Sequence, residues 1–239
     1  MELLRQTYLL ARNDLRQELR NFEMVVSAVF FTFTVLLMFL LAFSTLKAEA
    51  HRQAVPAFLW VALAMAGTLT LSRVFERERE ADTLTAMLAG PVDGMAVYAA
   101  KVTATLVVLL LCAAVLVPGL AVAFAGARPL LEHGLESIAL VTLGCLGYAS
   151  VGTLFAGGLA MGRGKNVLLS LILYPLAMPV LLYALVATQR LIDDHPDFGQ
   201  TLLQMLALDF VFLVVASLLF ESVLVGVRPR NNRPAKDPP

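Results

Sequence analysis

Residues 24–46 read MVVSAVFFTFTVLLMFLLAFSTL, twenty-three positions without one charged side chain. A helix of that length rises about 34 Å at 1.5 Å per residue, enough to cross a hydrocarbon core about 30 Å thick. A secretory signal carries an apolar stretch of only about 7–15 residues. The Ala48-Glu49-Ala50 that follows is therefore not expected to be a cleavage site, and the strongly charged residues 1–23 argue the same way. The run is a membrane span, and the rest of the chain repeats it. Charge-free stretches of similar length are Gln53–Ser72, Val102–Ala127, Ser137–Gly162 and Asn166–Gln189, and Phe198–Val227 is a sixth that contains Asp209 and Glu221. Six spans consume most of the 239 residues and leave no room for a soluble domain.

Composition agrees. The chain is 59% hydrophobic and 15% charged, with a mean hydropathy of +0.79, whereas soluble domains run at about 45–50% apolar and about 25% charged. A soluble enzyme, a nucleic-acid-binding module and a disordered tail are excluded on this ground. Net charge is zero, so no global field recruits nucleic acid. Cys112 and Cys145 both fall inside apolar runs, where they read as packing residues rather than a disulfide framework.

Lys and Arg are distributed unevenly between the two sides. Arg5, Arg12, Arg16, Arg20, Arg73, Arg77, Arg79, Lys101, Arg163, Lys165, Arg228, Arg230, Arg233 and Lys236 fall on one side, and Lys47, Arg52, Arg128 and Arg190 on the other. The richer side is the cytoplasmic one by the positive-inside rule. The expected fold is thus an all-α polytopic membrane protein with six transmembrane helices and both termini in the cytoplasm. Residues 1–23 form an amphipathic interfacial helix, 24–227 a permease domain, and 228–239 a cytoplasmic tail. In the first segment Leu4, Tyr8, Ala11, Leu15, Leu19 and Phe22 recur at helical spacing. The four arginines lie off that stripe, where they face lipid phosphates; the competing reading is a cytoplasmic helix packed on a partner protein.

The segment 73–101, RVFEREREADTLTAMLAGPVDGMAVYAAK, interrupts the pattern. Seven of its first ten residues are charged in alternating sign. Asp82 or Thr83 can cap a short helix, Gly90-Pro91 stops it, and Asp93 caps a second helix that continues through Tyr98 and Lys101 into the third span. The first helix carries an apolar face of Leu84, Met87 and Leu88 behind a charged approach. Such a face suits docking into the groove of a soluble motor; on composition alone, a solvated loop fits as well.

The order Arg73-x-Phe75-x-x-Glu78-x-Glu80, Thr83-Leu84, Pro91-Val92-Asp93 and Lys101 resembles the first cytoplasmic loop of ABC-2 exporter permeases. More narrowly it resembles the haem exporter protein B (CcmB) family of cytochrome c maturation. Further stretches fit that family: PAFLWVA (Pro56–Ala62) with Trp60, VGTLFAGGLAMGRGKNVLLSLILYPLAMPVLL (Val151–Leu182), and the acid-bearing LDFVFLVVASLLFE (Leu208–Glu221). Asp82 stands where the family usually has Gly. The resemblance implies a permease of the bacterial inner membrane, paired with a second copy of itself and coupled to a separate ABC ATPase that binds ATP. It further implies a haem-handling membrane subunit, a small accessory membrane protein and a periplasmic haem chaperone as partners. Haem is then a substrate of the complex rather than of an identified site on this chain. Arg73, Phe75, Glu78, Glu80, Thr83, Leu84, Met87, Leu88 and Pro91 become the ATPase-coupling candidates.

An external motor is also what the residues ask for. Gly162-Arg163-Gly164-Lys165-Asn166 is the nearest approach to a phosphate-binding loop, but Leu159 stands at the first glycine position and Asn166 replaces the Mg²⁺-binding hydroxyl. It reads as a tight turn, so the chain is expected to be no enzyme, with no metal of its own. Among the polar residues inside the spans, Asp209 is a functional candidate because a buried charge is costly. It is a substrate-path charge or a hydrogen-bonding element that moves on coupling, or else a protonated acid bonded to a neighbouring helix. Glu221 lies near the cytoplasmic end, where it snorkels or pairs with Arg228. His51, His133 and His195 fall in loops on the other side and show no ligand spacing. Gly144, Gly147, Gly152, Gly158 and Gly162 allow close helix approach, while Pro118, Pro175 and Pro179 shape the bundle. Two other functions compete with the haem-export reading: an ABC-2 permease for lipid, glycan or drug, and a secondary transporter that needs no ATPase.

Overall fold

A computed structural model describes residues 2–21, 23–43, 48–74, 93–161 and 166–226. Among them the chain forms eight α-helices and no strand: α1 (Glu2–Asn21), α2 (Glu23–Phe43), α3 (Ala48–Val74), α4 (Gly94–Ala123), α5 (Pro129–Glu132), α6 (Gly134–Met161), α7 (Asn166–Ile192) and α8 (Phe198–Gly226). Six of these are long and apolar enough to cross a membrane, running over Val25–Phe43, Ala50–Val74, Gly94–Ala123, Gly134–Leu159, Ile172–Ile192 and Phe198–Phe220. They match the six apolar runs in order and number.

The surface explains why such a chain needs lipid. Phe30, Leu41, Leu203, Phe210 and Leu218 are all exposed, a coat of apolar side chains that marks a membrane-facing surface. Inside the spans, several hydroxyls are satisfied within their own helices. Thr32, Thr70 and Thr188 each donate to the carbonyl four residues back, those of Ala28 (2.8 Å), Ala66 (2.8 Å) and Ala184 (2.7 Å). Where no water competes, that local bond is the available one.

α6 is the central post. It packs against α3, α4, α7 and α8, and its Leu140, Cys145, Tyr148 and Ala149 are buried in the core they share with Leu59, Trp60, Leu109, Cys112, Leu116, Leu173, Met205 and Phe220. Both cysteines are free and buried, in keeping with packing roles.

Helix ends follow local chemistry. Asp93 caps α4 as its sequence position predicts, its Oδ1 accepting the Met95 N–H at 2.9 Å. The third span differs at its other end, where the helix stops at Ala123 instead of continuing to Ala127. Phe124 turns extended there, and a 3-10 turn over Ala125–Ala127 leads to α5, with Pro129 in its first turn. Phe124 is buried against the ring of His51, so tertiary packing overrides the apolar run. α7 ends in a Schellman motif: the His195 N–H donates to Arg190 O (2.9 Å) and the Asp194 N–H to Leu191 O (3.2 Å). Asp194 takes the left-handed position, at φ 50°. Pro118, Pro175 and Pro179 lie within continuous helices.

The end of the bundle away from residues 75–92 is closed by side chains. Phe58 stacks on Phe39 and packs on Phe43, both at 4.5 Å. His51 Nε2 lies 2.7 Å from Phe43 O, and Arg52 holds Asp193 (2.9 Å) and Ile192 O (2.9 Å). His51 thus sits in the first turns of α3 rather than in a loop, because these contacts extend the helix back to Ala48.

Candidate functional site

Two groups of residues carry the functional candidates. The first surrounds the ends of the segment 75–92. Phe75, Glu78, Glu80, Thr83, Leu84, Met87, Leu88 and Pro91 lie outside the described residues, but Arg73 before them and Asp93 after them do not. Arg73 Nη1 donates to Ser27 Oγ at 3.4 Å, which fastens the end of α3 to the start of α2. On the other side the Asp93 N–H donates to Gln6 Oε1 at 3.2 Å. Two turns further along α4, Lys101 Nζ meets Asp14 Oδ2 at 2.9 Å, both side chains largely buried. Both stems of the segment are therefore held by the two N-terminal helices.

α1 consequently does more than precede the first span. It packs chiefly on α4, through a face that includes Ala11 (buried) and Gln6, Thr7, Leu10 and Asp14 (partly buried). This face is rotated from the apolar stripe read in the sequence. Ala11 belongs to both, whereas Tyr8 is 64% exposed. The physical reason is Lys101: a buried ammonium needs an anion beside it, and Asp14 turns toward it. Arg5, Arg12 and Arg16 remain exposed, beside Tyr8 and Leu9.

The second group lies inside the bundle, on one face of α6. Trp60 of α3 is 3% exposed, and its indole lies across Gly144, where an added Cβ would overlap the ring atoms Cη2 and Cζ3. The Trp60 N–H donates to Thr188 Oγ1 of α7 at 2.8 Å. One turn along α6, Asp209 of α8 occupies the equivalent space at Gly147. A Cβ there would overlap Asp209 Oδ1 and come within 2.8 Å of Val180 Cγ1. Asp209 is 1% exposed, and among the described residues neither carboxyl oxygen has a hydrogen-bond partner. One residue beyond Gly147, Tyr148 donates to Ala64 O at 2.8 Å and lies 2.8 Å from Thr68 Oγ1. Below them Tyr98 of α4 donates to Ser150 O at 3.0 Å and packs on Phe220.

The sequence candidates Trp60 and Asp209, 149 positions apart, are thus brought to neighbouring turns of one helix. Arg73 sits apart from them. The Glu221 side chain and the turn at 162–165 fall outside the described residues. Sequence reasoning identified the glycines as points of close approach but not which side chains they admit, and it missed Gln6 and Asp14. An acid three residues after Ala11, with Lys101 the one basic residue in a thirty-residue apolar helix, was the available signal.

Among the described residues no group of three His, Cys, Asp or Glu comes close enough to hold a metal ion. His133 pairs with Glu136 (3.4 Å) and His195 with Asp197 (3.8 Å), each on its own turn.

Comparison with protein families gives one match: the model for the CcmB protein family covers residues 5–225. Comparison with the curated proteins finds no match.

Proposed function

The chain belongs to the CcmB family, a multi-pass haem-exporter permease component of cytochrome c maturation, and from that premise we propose that it converts the work of a separate ABC ATPase into movement of its own helices. The ATPase grips the segment 73–101 in the cytoplasm. Leu84, Met87 and Leu88 supply the apolar knob, with Arg73, Phe75, Glu78, Glu80, Thr83 and Pro91 around it. Two copies of the chain form the pathway in a bacterial inner membrane, beside a haem-handling subunit, a small accessory membrane protein and a periplasmic haem chaperone. Haem is the cargo of the assembly.

One observation supports this reading above the others. The segment's two stems are anchored to different helices, Arg73 to Ser27 and Asp93 to Gln6, so a force applied between them acts on α3 and α4 separately. A solvated connector needs no such fastening. Within the bundle, Asp209 is the element that moves on coupling. An unbonded buried carboxyl costs about 1–3 kcal/mol, which favours any second arrangement that supplies it a donor.

The test is co-purification from native membranes. Leu84→Asp and Met87→Asp are expected to insert normally and lose the ATPase. Asp209→Asn is expected to retain the ATPase but mature less cytochrome c. ATPase retained at the wild-type level by both loop variants would remove this segment as the dock, and a fully active Asn variant would remove Asp209 from the mechanism.

A further inference from the structure

α1 and the start of α4 touch at two polar points with equal spacing. Gln6 meets Asp93 and Asp14 meets Lys101, eight residues apart on each helix, or about 12 Å at 1.5 Å per residue. The two helices therefore run side by side in the same direction over at least two turns. That arrangement is not a consequence of chain connection, since α1 is joined to α2 and separated from α4 by two helices and the segment 75–92.

The second contact is the informative one. Lys101 is 6% exposed within an otherwise apolar span, and Asp14 approaches it from α1 with only 19% of its side chain accessible. Two apolar residues would hold two helices together as firmly, because desolvating both charges offsets most of their attraction. What a buried ion pair adds is register: an apolar contact tolerates a slide by one turn, while a buried ammonium does not tolerate losing its carboxylate. The pair fixes where along α4, and at what rotation, α1 sits.

We propose that Asp14 and Lys101 are positioning residues that lock α1 and the first two turns of α4 into one rigid stalk, so that a push on the segment 75–92 moves α1 together with the third span. The proposal rests on the reading that a separate ATPase delivers that push. Asp93, which caps α4 and is itself held by Gln6, is the point where the load enters. Without the lock, the segment swings on Asp93 while α1 stays behind, and ATP turnover continues with less of it reaching the permease. The two residues thus set the ratio of ATP consumed to cargo delivered, not the affinity for the ATPase.

The experiment uses the full chain in its assembled complex, in native membranes. Asp14→Asn, the conservative Asp14→Glu and the exchange Asp14→Lys with Lys101→Asp are compared for inserted protein, retained ATPase, ATP turnover and cytochrome c maturation. Asp14→Asn is expected to keep ATP turnover within about twofold of wild type while maturation falls about tenfold. Asp14→Glu is expected to restore most of the maturation, and the exchange part of it. Wild-type maturation by Asp14→Asn overturns the proposal. So does a loss of maturation matched by an equal loss of inserted protein or of ATP turnover, since that is the signature of a merely structural contact. Absence of any ATPase from the wild-type complex overturns the coupling reading and this proposal with it; its presence, together with either of those two overturning results, removes the proposal alone.

Discussion

Replacing Gly147 by alanine tests the intramembrane seat directly. The added methyl would overlap Asp209 Oδ1 and lie 2.8 Å from Val180 Cγ1 and 3.0 Å from Asp209 Cγ. None of these atoms is the end of a long flexible chain, so α8 or α7 must give way, and overpacking of this kind costs about 1–3 kcal/mol. Asp209→Ala on its own has two opposed effects. It removes a buried carboxyl with no partner among the described residues, a gain of about 1–3 kcal/mol, and leaves a void that costs about 1 kcal/mol. Its net effect is therefore within about 2 kcal/mol of zero, on the stabilising side. In the double variant the new methyl occupies the space that the carboxyl vacates, and most of the Gly147→Ala penalty disappears. The double-mutant cycle should return a coupling energy of at least about 1 kcal/mol, far above the few tenths expected for independent sites. The assay is reversible unfolding of the purified chain in mixed micelles by a denaturing detergent, followed by far-ultraviolet circular dichroism. Asp209→Asn keeps the size of the side chain and serves as the control in which the alanine penalty persists. A Gly147→Ala cost unchanged within about 0.5 kcal/mol in the Asp209→Ala background would refute the seat.

Further outcomes follow from single positions. Trp60, the only tryptophan, should emit at short wavelength and resist aqueous acrylamide, and Trp60→Phe should cost about 1–3 kcal/mol through loss of the bond to Thr188 and of ring area against Gly144; a variant as stable as wild type contradicts the assignment. Asp194→Gly should raise stability by about 0.5–1 kcal/mol, because glycine takes the left-handed position at the end of α7 without the clash of a Cβ. An unfolding midpoint that stays level or falls would show that the Asp side chain compensates locally.

The six spans were legible because hydrocarbon imposes a length and a composition that few other constraints mimic, and the run at Met24–Leu46 shows both. The Asp93 cap was legible for a similar reason: one side chain serves a backbone group two residues away. The face of α1 was not. Its apolar stripe does not say which face meets α4, and that face carries Asp14, which answers to Lys101, a residue eighty-seven positions later. The His51 environment was missed likewise, since Phe43, which ends α2, and Phe124, which follows α4, are brought to it only by folding.

The sequence by itself determined that this chain crosses a membrane six times, where α4 begins, and which family it resembles. Each of these rests on local chemistry or on a pattern along the chain. Only the tertiary structure decided that Gly144 admits Trp60, that Gly147 admits Asp209 and that Asp14 reaches Lys101. In lipid the apolar faces are nearly interchangeable, so which helix meets which is settled by small residues that leave room and by the few polar groups that need a partner. Those are three-dimensional facts, and no spacing along the chain encodes them.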